Sequence, residues 1–140
     1  MEKMEKTATV LVADDDELVR TFVRSALEQV GLQVCEASNG QQVLEQFILR
    51  CPDIIVLDVM MPVMDGWEAT RVIRELESLG RLQQGCRSPL PILAVTANAM
   101  EGDRDKCLAA GMNDYLTKPV KQQRLVDAVT EHLLKSRVRA

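Results

Sequence analysis

The sequence predicts an α/β domain: a five-stranded parallel sheet, doubly wound, with helices on both faces. Three observations predict it. Short apolar runs alternate five times with segments of helical periodicity. The most apolar run, Asp53–Asp58, lacks polar alternation, as expected of a central strand covered on both sides. A chain of 140 residues fits one domain, and its scarce aromatics (two Phe, one Trp, one Tyr) leave Leu, Ile, Val, Met and Ala to build the core.

Each element has its own signal. The charged start "MEKMEK" reads as a flexible tail, taken as residues 1–8. Thr9–Ala13 is the first strand, stopped by Asp14-Asp15-Asp16. Leu18, Val19, Phe22, Val23, Ala26, Leu27 and Val30 then repeat as a helical stripe that Gly31 ends, with Phe22 and Val23 expected in the core. Leu32–Ala37 is strand two. Asn39-Gly40 opens a second helix striped by Val43, Leu44, Phe47 and Ile48 and broken by Pro52. After strand three, the Asp65-Gly66 turn leads into a helix carrying Trp67, Thr70, Ile73 and Leu76. Gly80–Pro91 is a long loop, Pro91–Thr96 strand four, Gly102–Ala110 a short helix ended by Gly111, and Asp114–Thr117 strand five. Lys121–Lys135 is the last helix, with Leu125, Val129 and Leu133 on one face; a basic tail, 136–140, follows the domain proper, 9–135.

In such a sheet right-handed crossovers put every strand's C-terminal end on one edge, where ligands bind. Strand one delivers Asp14 and Asp15 there, strand three Asp58, strand four Thr96 and strand five Lys118. Taken singly, each has an ordinary explanation: the acidic run suits a helix cap and first turn, with Asp16 the natural cap, and the others suit a loop cap, a strand residue and a surface lysine. Their common arrival at strand ends points elsewhere. Three carboxylates in one crevice need a cation to stay ionised. Magnesium, a hard ion that pairs carboxylates with phosphate oxygens and water, suits them. Asp58 is then a nucleophile that takes a phosphoryl group, with Lys118 and Thr96 stabilising the transferred oxygens.

Bulk properties narrow the alternatives. A net charge of −4 with mixed signs gives no footprint for nucleic acid. The four cysteines, Cys35, Cys51, Cys86 and Cys107, lack CxxC spacing, and His132 is the sole histidine, so no zinc or redox site is expected. With no signal peptide and no long apolar run, the expected setting is a reduced cytoplasmic one without direct membrane contact, although a membrane-bound parent protein stays open.

Four stretches, "VLVADDDE", "IIVLDVMMPVMDGWE", "PILAVTANA" and "GMNDYLTKPV", in this order and spacing, resemble the receiver domains of two-component signalling. The resemblance covers roughly Thr9 to Leu134 and implies the flavodoxin-like strand order 2-1-3-4-5. It implies that Asp58 is the phospho-accepting aspartate and that magnesium is held by Asp15 directly, by Asp58, by Asp14 mainly through water, and by the Met60 carbonyl. Thr96, Ala97 and Lys118 are implied to bind the phosphoryl group. Thr96 and Tyr115 form the implied switch, which reshapes the face of helix four, strand five and helix five. The Lys118-Pro119 bond is cis by resemblance. The stretch from Ala94 to Val120 is most similar to receivers of hybrid histidine kinases. The implied partners are a histidine kinase core or a histidine-phosphotransfer domain, docking near Leu18, Val19 and Phe22. Such a domain catalyses its own phosphorylation and dephosphorylation slowly, and its output is a signal.

Two rivals are weaker. A phosphohydrolase of the haloacid dehalogenase class needs a second aspartate two residues after the nucleophile; Met60 stands there and has no proton to give. A degenerate receiver, used only for docking, is expected to have lost an acid, Asp58 or Lys118, and this chain keeps them all. Neither GxxxxGK[ST] nor GxGxxG is present for a nucleotide.

Overall fold

A computed structural model describes residues 7–80, 82, 86–97 and 101–138, excluding the side chains of 101–103 and 136–138. Ten elements alternate along the chain: β1 (Thr9–Ala13), α1 (Glu17–Gln29), β2 (Gln33–Ala37), α2 (Gly40–Arg50), β3 (Ile54–Asp58), α3 (Gly66–Ser78), β4 (Ile92–Thr96), α4 (Glu101–Ala110), β5 (Asp114–Thr117) and α5 (Gln122–Val138). The strands pair in parallel in the order β2-β1-β3-β4-β5, as the resemblance implies.

Strand periodicity splits the core into two layers. Leu11, Ile55, Leu57, Ile92 and Ala94 face α2, α3 and α4, meeting Val43, Phe47, Ala69, Ile73 and Cys107. Val10, Val12, Ile54, Val56, Leu93 and Val95 face α1 and α5, meeting Val23, Leu27, Leu125 and Val129. All five residues of β3 are buried. Its four apolar side chains contribute roughly 1.5–3 kcal/mol each, which offsets the cost of burying the carboxylate that ends it.

Helix boundaries follow local chemistry. Asp16, Asn39 and Asp65 are N-caps whose side chains accept from the backbone N–H of Leu18, Gln42 and Glu68. Cys51 ends α2 in a left-handed conformation just before Pro52, and Gly111, at φ 106°, follows α4. The sequence reading placed most boundaries within a residue or two. The C-terminal stretch differs: α5 continues to Val138 through part of the expected tail, while residues 1–6, 139 and 140 lie outside the described residues.

Three expectations need correction. Phe22, assigned to the core with Val23, is 43% exposed, and its neighbour in the stripe Leu18 is 80% exposed. The side of α1 that meets the sheet is centred on Val23, Ala26 and Leu27, and residues 18 and 22 fall to one side of it. Ile48 on α2 is likewise exposed, because Val43 and Phe47 fill the inward positions.

The third concerns the cysteines. Cys51 and Cys86 form a disulfide, with a Cα–Cα distance of 5.3 Å. The end of α2 and the loop before β4 meet at the edge where strands begin, so residues 35 apart in sequence become neighbours. The loop is tied there again: Arg87 pairs with Asp53 at 3.3 Å, and Glu77 accepts from the Leu90 N–H at 2.7 Å.

Candidate phosphoryl-acceptor site

The opposite edge, where strands end, holds the charged groups. Asp14 follows β1 directly; its N–H donates to the Ala37 carbonyl, prolonging the pairing with β2, and its Oδ1 accepts from the Asp16 N–H at 2.9 Å. Asp14 and Asp58 are each 3% exposed, whereas Asp15 faces solvent. A carboxylate oxygen from each of the three lies within 4.8 Å of the others. Lys118 bridges two of them, with Nζ 3.1 Å from Asp14 Oδ2 and 3.3 Å from Asp58 Oδ2.

Lys118 reaches this point because the ends of β4 and β5 are joined. Its N–H donates to the Thr96 carbonyl at 2.8 Å, and the Lys118-Pro119 bond is cis. Thr96 is buried at the end of β4 and Ala97 next to it is exposed. Thr96 and Tyr115 lie on the same side of the sheet on adjacent strands, in a register that sets Ala94 beside Tyr115 and Thr96 beside Thr117. Tyr115 is half-buried against the layer under α2, α3 and α4. It also lines an open cavity of about 370 Å³ together with Thr117, Pro119, Lys121 and Arg124.

The loop after β3 forms the far wall. The Met60 N–H donates to Asp58 Oδ1 at 3.1 Å, while the Met60 side chain points outward, 65% exposed. Met61 is buried and anchors the loop. Gly66 closes it: its N–H donates to the Val59 carbonyl, and a Cβ there would sit 2.6 Å from the Asp58 carbonyl oxygen. No other residue fits without moving the strand that carries Asp58.

The charges do not balance. Burial pushes the Asp58 carboxyl up to about 6; the Met60 N–H and Lys118 oppose that, and the Asp14 charge adds to it. Burial alone would lower Lys118, but its bonds to Asp14 and Asp58 outweigh that and hold its ammonium above the usual range. One lysine against three carboxylates leaves a negative, oxygen-only pocket, the donor set of a hard divalent cation.

Sequence reasoning overlooked one participant. Arg20 Nη1 donates to the Asp14 carbonyl at 2.7 Å, and its Nε pairs with Glu36 at 2.9 Å. Its only sequence signal is a cation one turn after the acidic cap of α1, a pattern that also occurs on solvated helices.

Residues 10–130 match the family described as "Response regulator receiver domain". The chain belongs to that family. This receiver is 35% identical over 133 residues to the hybrid signal transduction histidine kinase I of Dictyostelium discoideum, covering 90% of this chain and 7% of the kinase. It is 37% identical over 120 residues to the sensor histidine kinase GacS of Pseudomonas protegens, covering 86% and 12%. The chain thus spans only a small part of the kinases it matches, and the similarity to hybrid-kinase receivers agrees with the motifs. Among solved structures, the receiver domain of the Pseudomonas aeruginosa sensor histidine kinase PA1611, described with a magnesium ion coordinated in its active site cleft, superposes with a TM-score of 0.77 at 35% identity, covering 91% of this chain and 98% of that one. A chain in the co-crystal of the Saccharomyces cerevisiae phosphotransfer protein Ypd1 with the receiver domain of Ssk1 gives 0.83 at 30% identity, covering 92% and 90%.

Proposed function

We propose that this receiver takes a phosphoryl group from a phosphohistidine onto Asp58 and passes the change to its α4–β5–α5 surface. The observation that carries the reading is the meeting of Asp14, Asp15 and Asp58 within 4.8 Å around an ammonium that already touches two of them. A buried Asp58 with a raised carboxyl is unfavourable unless it serves a cation and an incoming phosphoryl group.

Asp15, Asp58 and the Met60 carbonyl would hold magnesium, with Asp14 acting mainly through water. When bound, magnesium screens charge on the phosphoryl oxygens. A carboxylate oxygen of Asp58 forms the new O–P bond as the N–P bond of the donor histidine breaks, and the imidazole leaves with its electron pair and takes a proton. Lys118 moves its contact from the Asp58 carboxylate to a phosphoryl oxygen, and the Thr96 hydroxyl and Ala97 N–H donate to the others. Drawing Thr96 toward the phosphoryl group alters the space beside Tyr115 on the same side of the sheet, and Tyr115 is the switch that carries this outward.

The donor is a histidine kinase core or a histidine-phosphotransfer domain. The yeast complex with Ypd1 supports the second class. The exposed Leu18 and Phe22, with half-buried Val19, offer an apolar landing face at the site end of α1. The reading places the domain in the cytoplasm with its donor; among the described residues no helix is long and apolar enough to cross a membrane. Docking without phosphorylation is the alternative; the gathering of Asp14, Asp15, Asp58 and Lys118 favours the phosphoryl-acceptor reading over it.

Incubation with a small acyl phosphate and MgCl2, followed by intact-mass analysis, tests the reading. The parent is expected to gain one phosphoryl group and Asp58→Asn none. No adduct on the parent, or equal labelling of both proteins, defeats it.

A further inference from the structure

The geometry points to Arg20 as a positioning residue for the cation pocket, acting through the Asp14 carbonyl. This rests on the proposed magnesium site and extends it to a residue that touches neither ion nor phosphoryl group.

Asp14 is fixed on three sides. Its N–H is tied to Ala37, its side chain to the Asp16 N–H and Lys118, and its carbonyl to Arg20 at 2.7 Å. That carbonyl belongs to the peptide unit that leads into Asp15. Rotating the unit swings the Asp15 backbone, and with it an exposed carboxylate that has to aim at the ion. The bond to Arg20 therefore orients Asp15 without touching it.

Arg20 is held in turn. Its side chain is only 17% exposed, its Nε lies 2.9 Å from Glu36 on β2, and the other Glu36 oxygen is 2.6 Å from Arg24. Bonds from Arg24, and then from Arg20, keep the Glu36 carboxyl below its usual range despite partial burial, so Glu36 stays charged at neutral pH. The clamp thus runs from β2 through Glu36 and Arg20 to the loop after β1. Arg24 shares Glu36 and also pairs with Glu28, on the solvent side of α1.

The sign of the effect separates positioning from charge. Removing a cation near a cation site strengthens metal binding if only Coulomb forces act. Removing a clamp weakens it. For Arg20→Ala we expect the apparent Kd for MgCl2, read from the rise of the melting temperature with concentration, to increase roughly tenfold, the lower end for outer partners of metal ligands. Arg20→Lys should recover part of the loss, because a single flexible point charge replaces the planar fork whose Nε and Nη1 hold Glu36 and the carbonyl separately. Glu36→Gln should weaken binding in the parent and do nothing further in the Arg20→Ala background. Arg24→Ala, which touches Glu36 but not the Asp14 carbonyl, should change the Kd by less than Arg20→Ala. An unchanged or lower Kd in Arg20→Ala overturns the assignment, as does an Arg24→Ala effect of the same size. If Arg20→Ala does not fold, Arg20→Lys and Glu36→Gln carry the test, and a parent-like Kd in both overturns it. A parent that binds no magnesium and accepts no phosphoryl group defeats the functional reading instead; a parent that does both beside unaffected variants defeats only the role of Arg20.

Discussion

Ionised Asp58 costs the cation-free protein stability. Burial pushes its carboxyl up to about 6, against 3.8 for an unperturbed aspartate. Between those values the folded chain binds a proton that the unfolded chain has released. Asp58 therefore costs no stability below about pH 4, where both states are protonated, and the cost grows as pH rises to about 6 and then levels off. The gap of about two pH units corresponds to a cost of about 3 kcal/mol at neutral pH. The groups facing Asp58 are Asp14, Asp15 and Lys118. Asp58→Asn removes the charge but keeps an oxygen to accept from the Met60 N–H. Lys118 loses one of its two partners, so the net gain should be about 2 kcal/mol, or on the order of 5–10 °C in melting temperature for a domain of this size. Thermal unfolding of both proteins in a chelator, from pH 4 to 8, reads this directly. The variant should be the more stable at pH 7.5, equal at pH 4, and should lose its advantage as MgCl2 stabilises the parent. A variant no more stable at pH 7.5, or an advantage that ignores pH, refutes the electrostatic reasoning.

Lys118→Ala should separate binding from chemistry: magnesium binds as well as in the parent or better, because a competing cation is gone, while phosphoryl labelling drops by roughly 10-fold or more. Weaker magnesium binding measured by the same melting titration contradicts this. Gly66→Ala forces a Cβ to within 2.6 Å of the Asp58 carbonyl oxygen and should cost about 1–3 kcal/mol by denaturant unfolding, with slower labelling. A reductant should lower the melting temperature of the parent by opening the Cys51–Cys86 link, which spans 35 residues and stabilises by at most about 4 kcal/mol on chain-entropy grounds. Cys86→Ser should melt alike with and without reductant, and phosphoryl labelling should not change.

Much of this was legible in the sequence because the chemistry sits where strands stop. A strand covered on both sides announces itself as an apolar run, and a polar residue at its end marks the edge of the sheet; Asp58 and Thr96 are both found this way. Caps were legible for the same local reason, as at Asp16, Asn39 and Asp65. Facing was less so. A seven-residue stripe on α1 contains both Val23, which is buried, and Phe22, which is not, and periodicity alone does not say where the centre of the stripe points. Contacts across the fold were not legible at all. Arg20 and Glu36 meet because β2 lies beside β1, and Cys51 meets Cys86 because two loops share one edge. The assignment of Thr96 and Tyr115 to one side of the sheet likewise needed the register of β4 against β5.

The two rims of the sheet are separated by the length of β3, five residues, or roughly 17 Å. That exceeds the distance over which a surface charge is felt in physiological salt, about 8 Å. The rim closed by Cys51 and Cys86 is consequently a port for engineering. A fluorophore, an affinity handle or a fused domain attached near Cys86 can report on or relocate the molecule while leaving the acidic cluster at the other rim electrically undisturbed.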